Sequence, residues 1–281
     1  MRATLIYNSN AGAAASEEDI RSDLEDLGWR VERSVAKDEL ADRLRHDADV
    51  VVVAGGDGTI GRVAKLLAGT SMPMAIIPMG TANNIARSLG IGVDPRVAVR
   101  ALANPVERRL DLGVARIEDA REYFLEAFGV GVFAHVVAER ASKKDKKLRR
   151  ALTLLADELE GYVPRHVEIE VEGKDLSDAY VLAAIMNSRS LGPALAVAPE
   201  ARCDDGELDV VLVRPESRDA LATHLRRAVE QGDIALPAFE TMRATHVRVR
   251  ADGRWAHVDS HPHQLAGNVD IDVAVGVVRL L

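Results

Sequence analysis

The sequence is short of several things that usually announce a function. It holds one cysteine, Cys203, in 281 residues, so no disulfide closes within the chain, as suits a reducing cytosol. Aromatic residues make up 4 % against 47 % hydrophobic residues, so the cores must be rich in Ala, Val and Leu. No run of about 18 apolar residues occurs, and no signal-peptide-like stretch precedes the strand-like Ala3–Tyr7. The expectation is a cytoplasmic protein without a transmembrane helix. Cationic excess is missing too: the formal net charge is −8, which argues against nucleic acid as a partner. Repeats and low-complexity segments are absent, and the length suits one large or two medium domains.

What is present falls into two patterns. The first 104 residues alternate strand and helix. Thr4-Leu5-Ile6-Tyr7 leads into a polar loop from Asn8 to Gly12, and Ser16 with Glu17, Glu18 and Asp19 marks a helix start that runs to Gly28. Trp29 to Ser34 reads as a strand and Asp38 to Arg45 as a helix. Val50-Val51-Val52-Val53-Ala54 reads as a strand buried on both faces, followed by a helix from Thr59 to Leu67. Met74 to Ile77 is another strand and Thr81 to Leu89 another helix. Such alternation implies βαβ units and a parallel sheet.

From about Glu107 the pattern becomes mainly β. Val167, Ile169 and Val171 alternate with His166, Glu168, Glu170 and Glu172, as in a half-buried antiparallel strand. Tyr180 to Met186, Glu207 to Val213, Thr245 to Arg250 and Val269 to Val278 also read as strands. One helix interrupts them, with Leu148, Leu152, Leu155 and Leu159 on a stripe closed by Gly161.

Two loops carry candidate chemistry. Gly55-Gly56-Asp57-Gly58-Thr59 joins a buried strand to a helix, the place where ligands bind in parallel sheets. Its glycines let backbone approach phosphate, and the helix N-terminus favours an anion. It is neither a Walker loop nor GxGxxG. Asp57 repels phosphate unless it holds Mg²⁺ or takes a proton from an attacking hydroxyl; the alternative is a tight turn in which Asp57 only caps a helix. The second loop, Pro78-Met79-Gly80-Thr81-Ala82-Asn83-Asn84-Ile85-Ala86-Arg87, repeats the strand-to-helix logic, with Thr81 as a cap or phosphate contact and Asn83 and Asn84 as caps or ligands.

These two loops resemble the diacylglycerol-kinase catalytic-domain family, which includes bacterial lipid kinases and sphingosine kinases. Asp111-Leu112-Gly113, Phe128 to Ala134, Asn187, Leu191 to Pro199 and Asp204-Asp205-Gly206-Glu207-Leu208-Asp209-Val210 extend the resemblance over nearly the whole chain. NAD kinases share the first loop, but the second favours the lipid-kinase branch. The resemblance implies an α/β + β fold: an N-terminal Rossmann-like parallel-sheet nucleotide-binding domain, then a C-terminal β-sandwich, with the site in the cleft between them. The expected domains are 1–125, with 268–281 packing back onto it, and a β-rich lipid-substrate domain over 126–267.

The implied activity is ATP-dependent phosphoryl transfer to a lipid hydroxyl, with Mg²⁺ as cofactor. Asn8, Gly12, Gly55, Gly56, Gly58, Thr59, Gly80, Thr81 and Asn83 would hold the nucleotide. Asp57, Asp259 and His261 are the catalytic candidates, and Asp204, Asp205 and Glu207 the metal ligands; an Asx-type turn is the alternative at the last three. The chain departs from the family pattern at three points. Asn84 stands where Asp is usual, the first loop lacks its proline, and Asp259-Ser260-His261 replaces Asp-Gly-Glu. A neutral His cannot replace a carboxylate on Mg²⁺, though it could act as a base. That leaves open a catalytically impaired nucleotide- or lipid-binding regulator, and a kinase of a non-lipid alcohol.

His257, Asp259, His261 and His263 would share a face if they lay on one straight strand, although Pro262 argues against one. The basic residues Lys143, Lys144, Lys146, Lys147, Arg149 and Arg150 form either a solvated helix start or a dock for anionic lipid, placing the protein at the inner membrane surface. A homodimer stays open.

Overall fold

The computed structural model describes residues 1–9, 15–36, 48–141, 148–192, 195–231 and 239–281. Gly12, the helix read over 38–45 and Lys143 to Lys147 lie outside them. The chain divides into two compact units, one of Met1–Leu112 with Val275–Leu281 and one of Gly113–Ala274.

The first unit is a parallel sheet with helices. Its elements are β1 (Arg2–Tyr7), α1 (Glu17–Asp26), β2 (Arg30–Ala36), β3 (Val50–Gly55), α2 (Asp57–Leu67), β4 (Pro73–Pro78), α3 (Asn84–Ser88) and α4 (Pro95–Ala101). The strand order is β2-β1-β3-β4, and Arg279 and Leu280 pair in parallel with Pro73 and Met74 on the free side of β4. Every residue of β3 is buried, as a β-branched run between two covered faces requires. Ser16 and Asp19 cap α1 reciprocally, the Ser16 hydroxyl accepting from the Asp19 N–H at 3.1 Å and the Ser16 N–H donating back to Asp19 at 3.0 Å. Leu5, Val50, Val52, Ala75 and Ile77 form the core with Ile20 and Leu24 of α1 and Val99 and Leu102 at α4.

β5 (Arg108–Ile117) leads into the second unit. There follow β6 (Ala120–Phe124), β7 (Ala127–Gly131), α5 (Val132–Ala141), α6 (Leu148–Gly161), β8 (Arg165–Val171), β9 (Lys174–Asp175), β10 (Asp178–Tyr180) and β11 (Leu182–Met186). β12 (Leu208–Val213), α7 (Arg218–Gln231), β13 (Glu240–Ala244), β14 (His246–Arg250), β15 (Trp255–Val258), β16 (His261–Gln264) and β17 (Asn268–Leu280) complete the chain. An antiparallel sheet ordered β13-β12-β11-β7-β15-β16 packs on a second containing β10-β8-β14-β17. Phe128, Val130, Ile185 and Val210 from the first interdigitate with Val167, Ile169, Val249 and Ile271 from the second. On the other face of the six-stranded sheet, Leu152, Leu155 and Leu159 of α6 and Leu225 of α7 cover Ala184, Met186 and Val211. Leu159 is fully buried, worth about 1.5–3 kcal/mol.

The expected parallel-sheet domain and β-sandwich are both observed. Details differ. The strand read over 180–186 breaks at Val181: Tyr180 pairs with Arg165 in one sheet and Leu182 with Gly131 and Val213 in the other. Gly131, at φ 106°, permits this corner, since a Cβ there would lie 2.3 Å from the Val181 carbonyl oxygen. Among the described residues of the second unit three α-helices, not one, are inserted between strands. The helix read over 81–89 shortens to Asn84–Ser88, because Asn83 takes a left-handed conformation at φ 51°.

Candidate active site

In the first unit the two loops lie side by side. β3 ends at Gly55, Gly56 is the N-cap of α2, and Asp57, Gly58 and Thr59 form its first turn. β4 ends at Pro78, and the Met79 N–H donates to the Gly55 carbonyl at 2.9 Å, tying the second loop to the first. Gly56 and Gly80 meet backbone to backbone: a Cβ on Gly80 would stand 2.7 Å from the Gly56 Cα. The Gly80 N–H donates to Asn83 Oδ1 at 2.8 Å, which fixes the turn before α3. Asn8, at the end of β1, donates through Nδ2 to the buried Thr59 hydroxyl at 2.8 Å. Asn8, Gly55 to Thr59, Gly80 and Asn83 are thus gathered at the carboxyl ends of β1, β3 and β4.

Gly58 differs from its neighbours. A Cβ there would meet nothing within 4 Å, so packing within the chain does not require glycine. Glycine in a helix costs about 0.5–1 kcal/mol relative to alanine. A bare backbone facing open space at a helix N-terminus fits close approach by an anionic group, and the site therefore suits a nucleotide's phosphates.

Asp57 reaches across to the second loop. Its carboxylate accepts the Ile85 N–H at 3.0 Å and interacts with the backbone N–H groups of Asn83 and Asn84, capping α3 as well as opening α2. Burial pushes its carboxyl above the ordinary carboxylate range, against the opposing pull of those amides. The capping alternative and the chemical one therefore fall on the same side chain. Thr81 precedes the shortened helix and does not serve as its cap.

The other candidates belong to the second unit. Asp259, at φ 50°, occupies the turn between β15 and β16. Its carboxylate accepts the N–H of Glu126 at 2.8 Å and those of Leu125 and Ala127 at 3.2 and 3.3 Å. Its carbonyl oxygen accepts the Nδ1–H of His257 at 3.0 Å, and its N–H donates to Ala127 at 2.8 Å. The turn separates His257 from His261 and His263, so the straight strand that would align them does not exist: His257 is fully buried and His261 is exposed. Sequence reasoning missed Glu126, half-buried beneath this turn, whose carbonyl accepts from Asn187 and Ser188. Only its position shortly before the Phe128–Ala134 segment pointed to it.

Asp205 and Glu207 both pair with the guanidinium of Arg243, with Glu207 at 2.6 Å, while Asp204 pairs with Arg202 at 3.0 Å. Among the described residues no three His, Cys, Asp or Glu group as metal ligands. Guanidinium groups pair with all three carboxylates here, so a Mg²⁺ at this turn would have to displace them. The loop and sandwich together define a kinase-type architecture.

Known proteins agree with that class. Residues 2–115 match the diacylglycerol kinase catalytic domain, and residues 126–273 the YegS C-terminal NAD kinase β-sandwich-like domain. A YegS-like lipid kinase of Pseudomonas putida is 32 % identical over 72 % of this chain and 71 % of its own. A diacylglycerol kinase of Mycobacterium tuberculosis is 28 % identical over 80 % and 74 %. A diacylglycerol kinase structure from Bacillus anthracis superposes with a TM-score of 0.76 at 19 % identity, covering 99 % of this chain and 96 % of that one, a likeness of fold. The chain belongs to the diacylglycerol kinase catalytic-domain family of lipid kinases, and is by that membership a phosphotransferase.

Proposed function

We propose that the protein transfers the γ-phosphate of ATP to a hydroxyl of a diacylglycerol-like lipid. The carrying observation is the Gly56–Gly80 contact, which sets two loops together beside the open backbone of Gly58. The amides opening α2 and the Asn8–Thr59 pair would bind the triphosphate, which brings Mg²⁺ as part of the substrate. Asp57 would accept the proton as the lipid oxygen bonds to the γ-phosphorus and the bond to the β-phosphate oxygen breaks, releasing ADP. Burial raises its proton affinity in the direction that role needs. No helix among the described residues is long and apolar enough to cross a membrane. The lipid would be met at the membrane surface, by a peripheral protein.

Asp57→Asn tests this. Expected are retained ATP binding and lost transfer of labelled phosphate to lipid; full transfer by the variant would sink the reading. One observation favours a second reading, a nucleotide- or lipid-binding regulator: the Asp259 carboxylate is engaged by backbone amides, and His261 stands where the family has Glu. Binding of ATP without turnover on any lipid or soluble alcohol would select it.

A further inference from the structure

The second unit carries a cavity of about 540 Å³ that none of the candidate residues touches. It lies among the end of α6, the start of β8 and the turn into β15, within the range of about 300–1,000 Å³ usual for small-ligand pockets. Arg165 and Arg254 line it, as do Asp157 and Glu158. None of these four side chains makes an ion pair among the described residues. Arg214, Arg243, Arg248 and Arg250 of the same unit do each reach a carboxylate.

Four unpaired charges of both signs around one cavity have a chemical meaning. Surface ion pairs contribute little, so charges left apart cost the fold little and stay available to a ligand. Tyr162 lines the same cavity: its hydroxyl feels both Arg165 and Arg254, and its ring meets the His135 ring edge-on at 5.5 Å. Both arginines spring from ordered backbone. Arg165 pairs with Tyr180 across β8 and β10, and the Arg254 N–H donates to Ala251 at 3.1 Å. At the rim, Val163 is 71 % exposed and Trp255 37 % exposed. An exposed tryptophan and valine beside unpaired cationic and anionic groups match a bilayer's apolar margin and its headgroups.

We propose that this pocket docks the protein on membranes by taking a zwitterionic phospholipid headgroup, its phosphate against Arg165, Arg254 and the Tyr162 hydroxyl and its primary ammonium against Asp157 and Glu158. Val163 and Trp255 enter the interface beside it. The proposal rests on the lipid-kinase reading for its setting and gives the protein a second lipid contact, apart from the phosphorylated substrate.

Binding to phosphatidylcholine vesicles with and without phosphatidylethanolamine tests it. Trp255 is the reporter; the other tryptophan, Trp29, is buried in the core of the first unit and gives a constant background. Phosphatidylethanolamine should tighten binding about tenfold, the equivalent of about 1.4 kcal/mol, and shift Trp255 emission to the blue. Arg165→Ala/Arg254→Ala should lose the tightening. Asp157→Asn/Glu158→Gln should lose the preference for the ammonium lipid while still binding phosphatidylglycerol vesicles. Equal binding with and without phosphatidylethanolamine, or a preference that survives the double arginine substitution, would overturn the proposal. Tight binding of soluble phosphoethanolamine with no vesicle binding would overturn the membrane source. Phosphate transfer to a dispersed short-chain diacylglycerol, measured on the same variants, is a separate readout: turnover without vesicle preference removes only the docking site, and vesicle preference without turnover removes only the kinase reading.

Discussion

Replacing His257 with Gln should flatten the acid side of the protein's stability profile. His257 is fully buried, its ring 4.9 Å from that of Phe133 in an edge-on contact and its Nε2 without a hydrogen-bond partner among the described residues. Burial lowers its pKa to about 4, Asp259 pulling the other way and His263 adding to the depression. In the unfolded chain the same ring titrates near about 6.5. As pH falls, the unfolded state therefore binds a proton that the folded state refuses. The contribution is intact above the unfolded value and is lost as pH drops toward the folded one. The full gap is worth about 3 kcal/mol, of which about 2 kcal/mol is lost between about pH 8 and about pH 5. Urea unfolding of both proteins across that range gives the difference directly, since carboxylate effects common to both cancel. A wild-type-minus-variant difference constant to within about 0.5 kcal/mol would refute the reasoning. Should the variant fold poorly, the wild-type His257 ring resonance decides instead, because it should not titrate down to about pH 5.

Two glycines should part company on replacement by alanine. Gly58→Ala should stabilise α2 by about 0.5–1 kcal/mol in thermal unfolding while weakening ATP binding, because its Cβ meets no protein atom; stabilisation with unchanged affinity would show that nothing approaches there. Gly80→Ala should weaken both by forcing the loops apart, at about 1–3 kcal/mol of stability, and undiminished stability would contradict the close Gly56 contact. Arg243→Ala frees Asp205 and Glu207, so added Mg²⁺ should raise the variant's melting temperature and leave the wild type's unchanged. Equal shifts in both would show that metal enters despite the guanidinium.

Legibility followed the range of the interactions. Val50–Ala54 and the alternating Val167, Ile169 and Val171 were readable because burial on two faces or one writes itself into adjacent residues. The glycine loops were readable for the same local reason. Asp57 was readable as special but not as the cap of α3, since its partner Ile85 lies 28 residues away. The grip of Asp259 on Leu125, Glu126 and Ala127 spans more than a hundred positions and left no periodic trace. α7 escaped notice because the residues it is seen to bury, Leu221, Ala222 and Leu225, make a short stripe in a segment with many charges. Asn83 looked helical by position, and its left-handed backbone goes with the Gly80 bond to its side chain and the pull of Asp57 on its N–H.

The pairing of Arg279 and Leu280 with β4 bears on how the chain is made. β4 runs straight into Gly80, yet its outer edge is closed by residues about two hundred positions further on, with the Leu281 N–H donating to Met74 and the Gly69 N–H to Val277. During translation, which proceeds at about 5–20 residues per second, the nascent first unit carries an unpaired, largely apolar strand edge for the time needed to make about two hundred further residues. That edge is paired only once Arg279 and Leu280 emerge. A ribosome stalled before β17 would therefore leave the candidate nucleotide loops synthesised but resting on a sheet with an open edge, a species for chaperones to hold rather than an early-working domain.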